Sequence, residues 1–387
     1  MKRIYLDYAA TTPTDPEVLK AMEPYWTEIF GNASSIHSFG QEARKAMEEA
    51  RQTLADFLGA KTDEIIFNSG GTEANNTAIF GVAHALKNKG NHIITSSIEH
   101  HAIIEPCKFL EKQGYKVTYL PVDKTGLVSP EDVKKAISKE TILITIMHAN
   151  NEIGTIQPIE EIAKIAKEAG VYIHSDAVQT VGHIPIEVNK SGVDMLSLSA
   201  HKFYGPKGMG ALYVKKGTKI TPYLHGGDQE RNRRASTSNV AGIVGLGKAI
   251  ELARQSMTQE AKFQSELRDF LIKEIPRIIS DCCLNGHPVN RLPNNVNFSF
   301  SYIEGESILL NLDFLGIAAS TGSACTSSSL EPSHVLLAIG LPHEIAHGSL
   351  RITLGRWTKK TEIDYLLEHL PKIVDKLRRM SPLYEPK

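Results

Sequence analysis

The feature that most constrains the fold is an alternation of short β-forming runs with helix-like segments between about residues 65 and 215. We expect strands at 64–69, 92–97, 116–122, 142–148, 171–176, 195–200 and 211–216, and helices at 72–90, 101–114, 129–138 and 159–170. This alternation favours an α/β fold, in which a large domain holds a mostly parallel seven-stranded sheet flanked by helices. Ligands of such sheets bind beyond the carboxyl ends of the strands.

The pattern changes after a long helical stretch at about 238–277. Beyond it, β-rich runs at 294–300 and 348–355 are interleaved with helical segments at 305–316 and 360–379. This arrangement predicts a second, smaller α+β domain. A chain of 387 residues has room for both domains.

Charge and cysteine content exclude several classes of protein. The formal net charge of −1 provides no field that would attract nucleic acid or a membrane surface. The N-terminus has no apolar signal-peptide core, and no apolar run is long enough to span a bilayer. Four cysteines in a chain of this size do not make a disulfide framework. We therefore expect a cytoplasmic protein with no nucleic-acid and no membrane partner.

One cysteine lies in an unusual setting. Cys325 belongs to the stretch "ASTGSACTSSSLEPSH" at 319–334, which is rich in small residues. Such a stretch has little to bury, which predicts a mobile loop at about 318–334. Unpaired cysteines are usually buried, so this thiol is either incidental or reactive, and the loop alone leaves both alternatives open.

Polar residues follow several of the predicted strands. In "NSGGTEANN" at 68–76, two glycines and Thr72 join a strand to a helix, which is typical of either an anion site or a capped turn. Asp176 ends another strand, where it either meets a ligand or caps the next segment. Lys202 follows His201 at a third strand end. It is either a nucleophilic amine in a cleft or an ordinary surface lysine.

The combination indicates more than any one of these residues. Pyridoxal phosphate needs a lysine for its Schiff base, an acidic partner for its pyridinium nitrogen and a phosphate site. His100, Asn151 and Gln179 lie at further strand ends, and an imidazole at the His100 position could stack on such a ring.

Five long motifs in order give the sequence a specific resemblance. They are "SGGTEANN", "MHANNEIGT", "HSDAVQ", "SAHKFYGPKG" and "STGSACTSSSLEPSHVL". They resemble the motifs of cysteine desulfurases of the NifS/IscS type, which are class V, fold-type I pyridoxal-phosphate enzymes. The resemblance extends over nearly the whole chain. It implies a large cofactor domain at 15–256 and a small domain formed by 1–14 and 257–387, which carries the cysteine loop.

The resemblance also implies roles for individual residues. It implies catalytic roles for Lys202 as the Schiff-base lysine, for His100 as the ring-stacking proton relay and for Cys325 as the nucleophile. Residues implied to bind the cofactor are Gly71, Thr72, His100, Asn151, Asp176, Gln179, Ser199, His201, Lys202 and Thr237. Thr237 is expected to reach the phosphate of the neighbouring subunit, which implies a homodimer. Asn151 and Arg351 are expected to bind the substrate, and the Arg351 guanidinium is expected to contact the substrate carboxylate.

The implied reaction takes sulfur from L-cysteine, releases L-alanine and leaves a persulfide on Cys325. The sulfur then passes to an acceptor, an iron–sulfur scaffold protein or another sulfur-transfer partner. In such relatives the persulfide cysteine can also ligate a cluster shared with the scaffold, which makes Cys325 a possible transient iron–sulfur ligand. The chain ends at "SPLYEPK" without the longer tail that helps some relatives dock a scaffold, so the acceptor stays open.

Other functions remain as alternatives. "HEIAH" at 343–347 matches the zinc-protease signature H-E-x-x-H, although Pro342 and Gly348 confine it to little more than one helical turn. Selenocysteine lyase, cysteine-sulfinate desulfination and transamination would use the same cofactor residues, but transamination would not need Cys325. A non-catalytic sulfur-assembly subunit would not need Lys202 or Cys325.

Overall fold

The structure is a computed structural model, and it describes residues 3–321 and 332–384. The strands are β1 Ile4–Tyr5, β2 Ile65–Asn68, β3 His92–Ser96, β4 Lys116–Leu120, β5 Thr141–Thr145, β6 Tyr172–Asp176, β7 Met195–Ser199, β8 Gly210–Val214, β9 Cys282–Leu284, β10 Asn295–Phe300, β11 Ile317–Ala318 and β12 Ser349–Thr353. The helices are α1 Pro16–Met22, α2 Pro24–Thr27, α3 Ser38–Leu58, α4 Gly71–Ala85, α5 His101–Glu111, α6 Pro130–Ala136, α7 Ile159–Ala169, α8 Val188–Ser191, α9 Gln229–Asn232, α10 Val240–Ile278, α11 Gly305–Phe314, α12 His334–Ala338, α13 His343–His347 and α14 Lys360–Met380.

The main sheet has seven strands in the order β2-β8-β7-β6-β5-β3-β4. All neighbours are parallel except β8, which runs antiparallel to both β2 and β7. The connection from β7 to β8, residues 200–209, contains only a single helical turn and is too short for a crossover, so β8 returns antiparallel. The mostly parallel seven-stranded sheet that the sequence predicts is therefore confirmed.

Helices cover both faces of this sheet. One hydrophobic cluster contains α3, α7 and the first part of α10, and a second contains α4 and α5. Five of the strands, β2, β3, β5, β7 and β8, consist only of buried residues. Strands buried on both faces are typical of α/β folds, in which ligands bind at the carboxyl ends of the strands.

A third hydrophobic cluster lies on a separate antiparallel sheet in the order β12-β10-β9. Helices α11 and α14 pack on it, together with the second half of α10. Ile4 and Leu6 of the N-terminal segment belong to the same cluster, and β1 pairs in parallel with β11. The first residues of the chain are thus built into the same core as its last third.

Helix α3 and strand β9 are among the elements that the sequence patterns did not predict. Helix α3 is 21 residues long, and its buried positions include Ala43, Ala50, Leu54 and Leu58 at helical spacing. Strand β9 pairs with β10 through Cys282 and Cys283, to which no element had been assigned. Within the described ranges, no helix combines the length and apolar character that crossing a membrane requires.

Candidate active site

The carboxyl ends of the parallel strands gather most of the predicted residues at one edge of the sheet. Strand β6 ends at Asp176 and the neighbouring β7 ends at Ser199, three residues before Lys202. His100 follows β3 and begins α5. Asp176 of β6 pairs with Ser197 of β7. The predicted residues that follow these two strands lie at the same end of the sheet because the strands are parallel neighbours.

Lys202 lies in a single helical turn, Ala200–Lys202, directly after β7. Its Nζ donates hydrogen bonds to the carbonyl oxygens of Ala9 (2.5 Å) and Ala10 (2.8 Å). Gln179 Nε2 donates to the same Ala9 carbonyl at 3.0 Å. The N-terminal segment therefore crosses the strand edge and contacts two of the predicted cofactor residues, a role that the sequence analysis had not assigned to it.

Asp176 is buried and its carboxylate is held from two sides. Oδ2 accepts a hydrogen bond from Asn75 Nδ2 at 2.6 Å, and Oδ1 accepts one from the Val178 backbone at 2.9 Å. Asn75 lies on α4, the helix that begins at the glycine turn. These contacts fix the orientation of the carboxylate, and Asn75 is a functional candidate that the strand-end reasoning missed because it lies one turn into a helix.

Two histidines at the site have lowered pKa values. His100 caps α5 by accepting a hydrogen bond from the Ala102 backbone on Nδ1 at 3.0 Å. Burial lowers the pKa of His100; the Asp176 charge raises it, and the Lys202 charge lowers it. Burial lowers the pKa of His201 to about 4, with the Lys202 charge acting in the same direction. The His201 imidazole is therefore neutral at pH 7, and burial favours the neutral form of His100.

The glycine turn before α4 has the shape of an anion site. Gly70 adopts φ +146°, which favours glycine, and it is the N-cap of a 15-residue helix. A Cβ on Gly71 would lie 2.5 Å from Val178 Cγ2, so the backbone there approaches its neighbour too closely for any side chain. Ser199 lies beside the turn, and the Thr72 side chain is exposed at it. Thr237 is exposed on the loop between α9 and α10.

Arg351 lies in the middle of β12 and is 3% exposed. Its Nη2 donates to Asp7 Oδ1 at 2.8 Å, and its Nη1 donates to the Asn151 carbonyl at 3.0 Å. Nε is buried and has no hydrogen-bond partner among the described residues. The structure thus brings Asn151 and Arg351 together, although they are far apart in the sequence.

Cys325 lies outside the described residues, within the predicted loop at 318–334. Ser320 and Ser333, on either side of the undescribed residues 322–331, are both attached at the site. Ser320 exchanges two backbone hydrogen bonds with Arg351, and Ser333 Oγ donates to Glu152 Oε2 at 2.5 Å. Burial raises the pKa of each of the three described cysteines, Cys107 to about 12 and Cys282 to about 11. None of these three thiols is suited to act as a thiolate at neutral pH.

Two buried carboxyl groups at this edge had not been predicted. Glu99 is fully buried; its carboxylate accepts hydrogen bonds from Ser96 Oγ and the Met147 backbone, and burial raises its pKa to about 8. Burial raises the pKa of Glu152 to about 7, while the Ser333 hydrogen bond and the Arg351 charge lower it. Both follow strand ends, but the sequence offers no sign of burial because acidic residues at such positions are usually exposed.

The zinc-site alternative finds no support in the geometry. The "HEIAH" segment forms α13, a helix of only five residues, with its two imidazole rings 4.8 Å apart. Across residues 3–321 and 332–384, no group of three histidine, cysteine, aspartate or glutamate side chains is arranged to hold a metal ion.

Comparison with known proteins identifies relatives over nearly the full length. Residues 4–366 match the aminotransferase class-V family. A cysteine desulfurase IscS of Dictyoglomus turgidum is 64% identical over 383 residues, which cover 99% of this chain and 97% of that protein. Among solved structures, a NifS-like protein has a TM-score of 0.92 at 40% identity and covers 97% of this chain and 100% of its own. A structure described as SspA in complex with cysteine has a TM-score of 0.81 at 40% identity, covering 92% of this chain and 100% of its own.

Proposed function

The chain belongs to the cysteine desulfurases of the aminotransferase class-V family, and on this premise we propose that it takes sulfur from L-cysteine, releases L-alanine and leaves a persulfide on Cys325. The observation that carries the proposal is the placement of Lys202 and the buried Asp176 at the carboxyl ends of the neighbouring strands β7 and β6. A lysine and an oriented carboxylate beside a glycine-turn anion site are what a pyridoxal-phosphate enzyme requires.

The described residues fit pyridoxal phosphate. Gly70 adopts a φ that L side chains rarely allow, and the backbone at Gly71 leaves no room for a side chain, so the N-terminus of α4 is open to a phosphate. The Asn75 hydrogen bond fixes the Asp176 carboxylate, which would pair with the pyridinium nitrogen. We propose that ten residues hold the cofactor. Nine come from the same chain, namely Gly71, Thr72, His100, Asn151, Asp176, Gln179, Ser199, His201 and Lys202, and the tenth is Thr237 of the partner subunit. When bound, pyridoxal phosphate withdraws electrons from the Cα of an attached amino acid.

The chain's own residues orient the substrate and move protons around it. The buried Arg351 guanidinium has one N–H without a partner among the described residues, and we propose that it binds the L-cysteine carboxylate beside Asn151. Lys202 Nζ, held by the carbonyls of Ala9 and Ala10, takes the proton from the substrate Cα. Burial lowers the pKa of His100 and so favours the neutral imidazole, which can accept a proton and return it.

The sulfur step uses the Cys325 thiolate as nucleophile. A new S–S bond forms between Cys325 and the substrate sulfur while the substrate Cβ–S bond breaks, and the electron pair of that bond stays with the Cβ carbon. Cβ and Cα then each receive a proton, so that L-alanine leaves and Cys325 retains the sulfur as a persulfide. An acceptor thiol removes this sulfur in a second half-reaction, which makes the cycle ping-pong.

The partners and setting follow from the same proposal. Thr237 is exposed in the single chain, as a residue that serves the neighbouring subunit of a homodimer would be. The acceptor is an iron–sulfur scaffold or another sulfur-transfer protein, for which Cys325 can transiently ligate a shared cluster. A reactive thiol needs a reducing compartment, which favours the cytoplasm. The hydrophobic cluster that joins Ile4 and Leu6 to the last third of the chain supports a small domain of 1–14 and 257–387 beside a large domain of 15–256.

The test is to mix the purified protein with L-cysteine and a reducing thiol and to measure alanine and sulfide. We expect equal amounts of both from the wild-type protein and loss of both in Cys325→Ala. Cys283→Ala is the matched control, because this half-buried thiol lies in β9, away from the strand edge, and its removal should leave turnover unchanged. Alanine without sulfide, or full activity in Cys325→Ala, would refute the proposal. A strong preference for selenocysteine would instead assign the chain to the selenocysteine lyases.

A further inference from the structure

Helix α12 begins directly after the segment that carries Cys325, and its first turn is attached to the site through Ser333 and His334. Ser333 is the N-cap, and its Oγ accepts hydrogen bonds from the backbones of Val335 (3.1 Å) and Leu336 (3.3 Å). With both lone pairs of Oγ engaged, its proton can only be donated outward. The acceptor is Glu152 Oε2 at 2.5 Å.

Glu152 belongs to a turn that is fixed from several directions. Its backbone N–H donates to Asn150 Oδ1 at 2.8 Å, and its carbonyl accepts from Asn295 (3.2 Å) and Asn297 (3.0 Å) on the small-domain strand β10. The side chain is 5% exposed. The carboxylate is therefore a rigid acceptor whose position is set by the backbone around it.

The same turn holds Arg351, because the Asn151 carbonyl accepts a hydrogen bond from Arg351 Nη1. At the other end of the Cys325 segment, Ser320 exchanges backbone hydrogen bonds with Arg351. Cys325 follows Ser320 by five residues and precedes Ser333 by eight. Both flanks of the nucleophile are thus connected to the proposed carboxylate-binding arginine, one directly and the other through the Asn151–Glu152 turn.

We infer that Glu152 is a positioning residue for sulfur transfer: by holding Ser333, it aligns the flank of the Cys325 segment with the substrate bound at Arg351. The inference rests on the proposed function and concerns the step that needs Cys325. Oε2 of Glu152 can accept the Ser333 proton whether the carboxyl group is ionised or protonated on Oε1. Burial raises the pKa of Glu152 to about 7, while the Ser333 hydrogen bond and the nearby Arg351 charge favour the ionised form.

The fold of α12 does not depend on this contact. Val335, Leu336 and Ile339 are buried in a cluster with Ile98 and Met147, which keeps the helix docked by its apolar face. His334 Nε2 also contacts the Glu99 carbonyl at 2.9 Å. Loss of the Ser333–Glu152 hydrogen bond should shift only the start of the helix, so variants at these positions are expected to fold and bind cofactor.

The experiment compares Ser333→Ala and Glu152→Met, which abolish the hydrogen bond, with Ser333→Thr and Glu152→Gln, which retain a donor and an acceptor. Holoenzyme is mixed rapidly with L-cysteine, and two quantities are followed: the change in cofactor absorbance on substrate binding, and the single-turnover rate of persulfide formation on Cys325 by mass spectrometry. Ser129→Ala is the matched control, because Ser129 caps α6 in the same manner but has no carboxylate partner among the described residues.

We expect Ser333→Ala and Glu152→Met to slow persulfide formation about tenfold, the factor that 1.4 kcal/mol of lost alignment represents. The L-cysteine dissociation constant should stay within about twofold of the wild type, the two conservative variants should recover most of the rate, and the Ser333→Ala/Glu152→Met double variant should be no slower than either single variant. Unchanged persulfide rates, multiplicative single effects, or an equal loss of substrate binding would each overturn the inference. A wild-type protein that forms no persulfide would instead refute the proposed function, and the inference with it.

Discussion

Replacing Arg351 by lysine tests how the substrate is held. The guanidinium donates to Asp7 through Nη2 and to the Asn151 carbonyl through Nη1, which leaves the buried Nε without a partner in the described structure. A lysine ammonium is a single point donor and cannot replace this planar fork. A hydrogen bond to a charged group contributes about 1.5–3 kcal/mol, so KM for L-cysteine should rise roughly ten- to a hundredfold.

The assay is alanine formation against L-cysteine concentration, with single-turnover persulfide formation measured at saturating substrate. We expect KM to carry the effect and the saturated rate to fall less than about threefold, because binding energy shared by ground state and transition state changes KM alone. Binding of L-alanine, which has the same carboxylate, should weaken by the same factor. Arg379→Lys is the control, since Arg379 is exposed and pairs only with Asp375 in the described structure. A KM within twofold of the wild type, with a reduced saturated rate, would show that Arg351 does not bind the carboxylate.

Three further predictions follow from the same structure. Gly71→Ala places a Cβ 2.5 Å from Val178 Cγ2 and should weaken pyridoxal-phosphate binding roughly ten- to a hundredfold in an equilibrium titration, whereas unchanged affinity would exclude the turn as the phosphate site. Arg51 and Glu230 form a buried ion pair at 2.7 Å. Glu230→Gln should lower the free energy of unfolding, measured by urea denaturation, by about 3 kcal/mol because it leaves the buried Arg51 charge poorly compensated. The Arg51→Met/Glu230→Met double variant should lose less than that, so additive losses would contradict this prediction. Burial raises the pKa of Glu99 from 4.5 to about 8, so the folded protein keeps a proton that the unfolded chain releases. The free energy of unfolding should therefore fall as the pH rises from 4.5 to 8. Glu99→Gln should flatten that decline, and identical pH profiles for variant and wild type would refute the assignment.

Sequence patterns predicted what depends on local periodicity and residue type. All seven strands of the main sheet are present, because short β-rich runs between helical segments have few other solutions in a chain of this kind. Asp176 and Lys202 could be picked out because a carboxylate or an amine at the end of a buried strand is conspicuous. Helix α3 could also have been found, since its apolar positions recur every three or four residues and Gly59 ends it in the left-handed conformation.

The residues that escaped prediction take their roles from partners far away in the sequence. Asn75 meets Asp176 101 positions later, and Asp7, to which no role had been assigned, pairs with Arg351 across 344 positions. Nothing in the local sequence of Glu152 indicates that Ser333, 181 residues away, donates to it. Burial of an acidic side chain depends on the packing of several elements at once, and a linear pattern carries no information about that packing.

The N-terminal segment shows why the site requires the whole chain. Asp7 pairs with Arg351 of the small sheet, whereas Ala9, only two residues later, accepts hydrogen bonds from Lys202 and Gln179 at the edge of the large sheet. Tyr8 between them is buried, and its ring lies so close to the Gly355 backbone that a Cβ there would be 2.1 Å from it. Three consecutive residues, fixed by that packing, therefore set the distance between the Lys202 amine, which we propose takes the substrate proton, and the Arg351 guanidinium, which we propose binds the substrate carboxylate. Either sheet folded alone would form half of the site and leave this distance undefined.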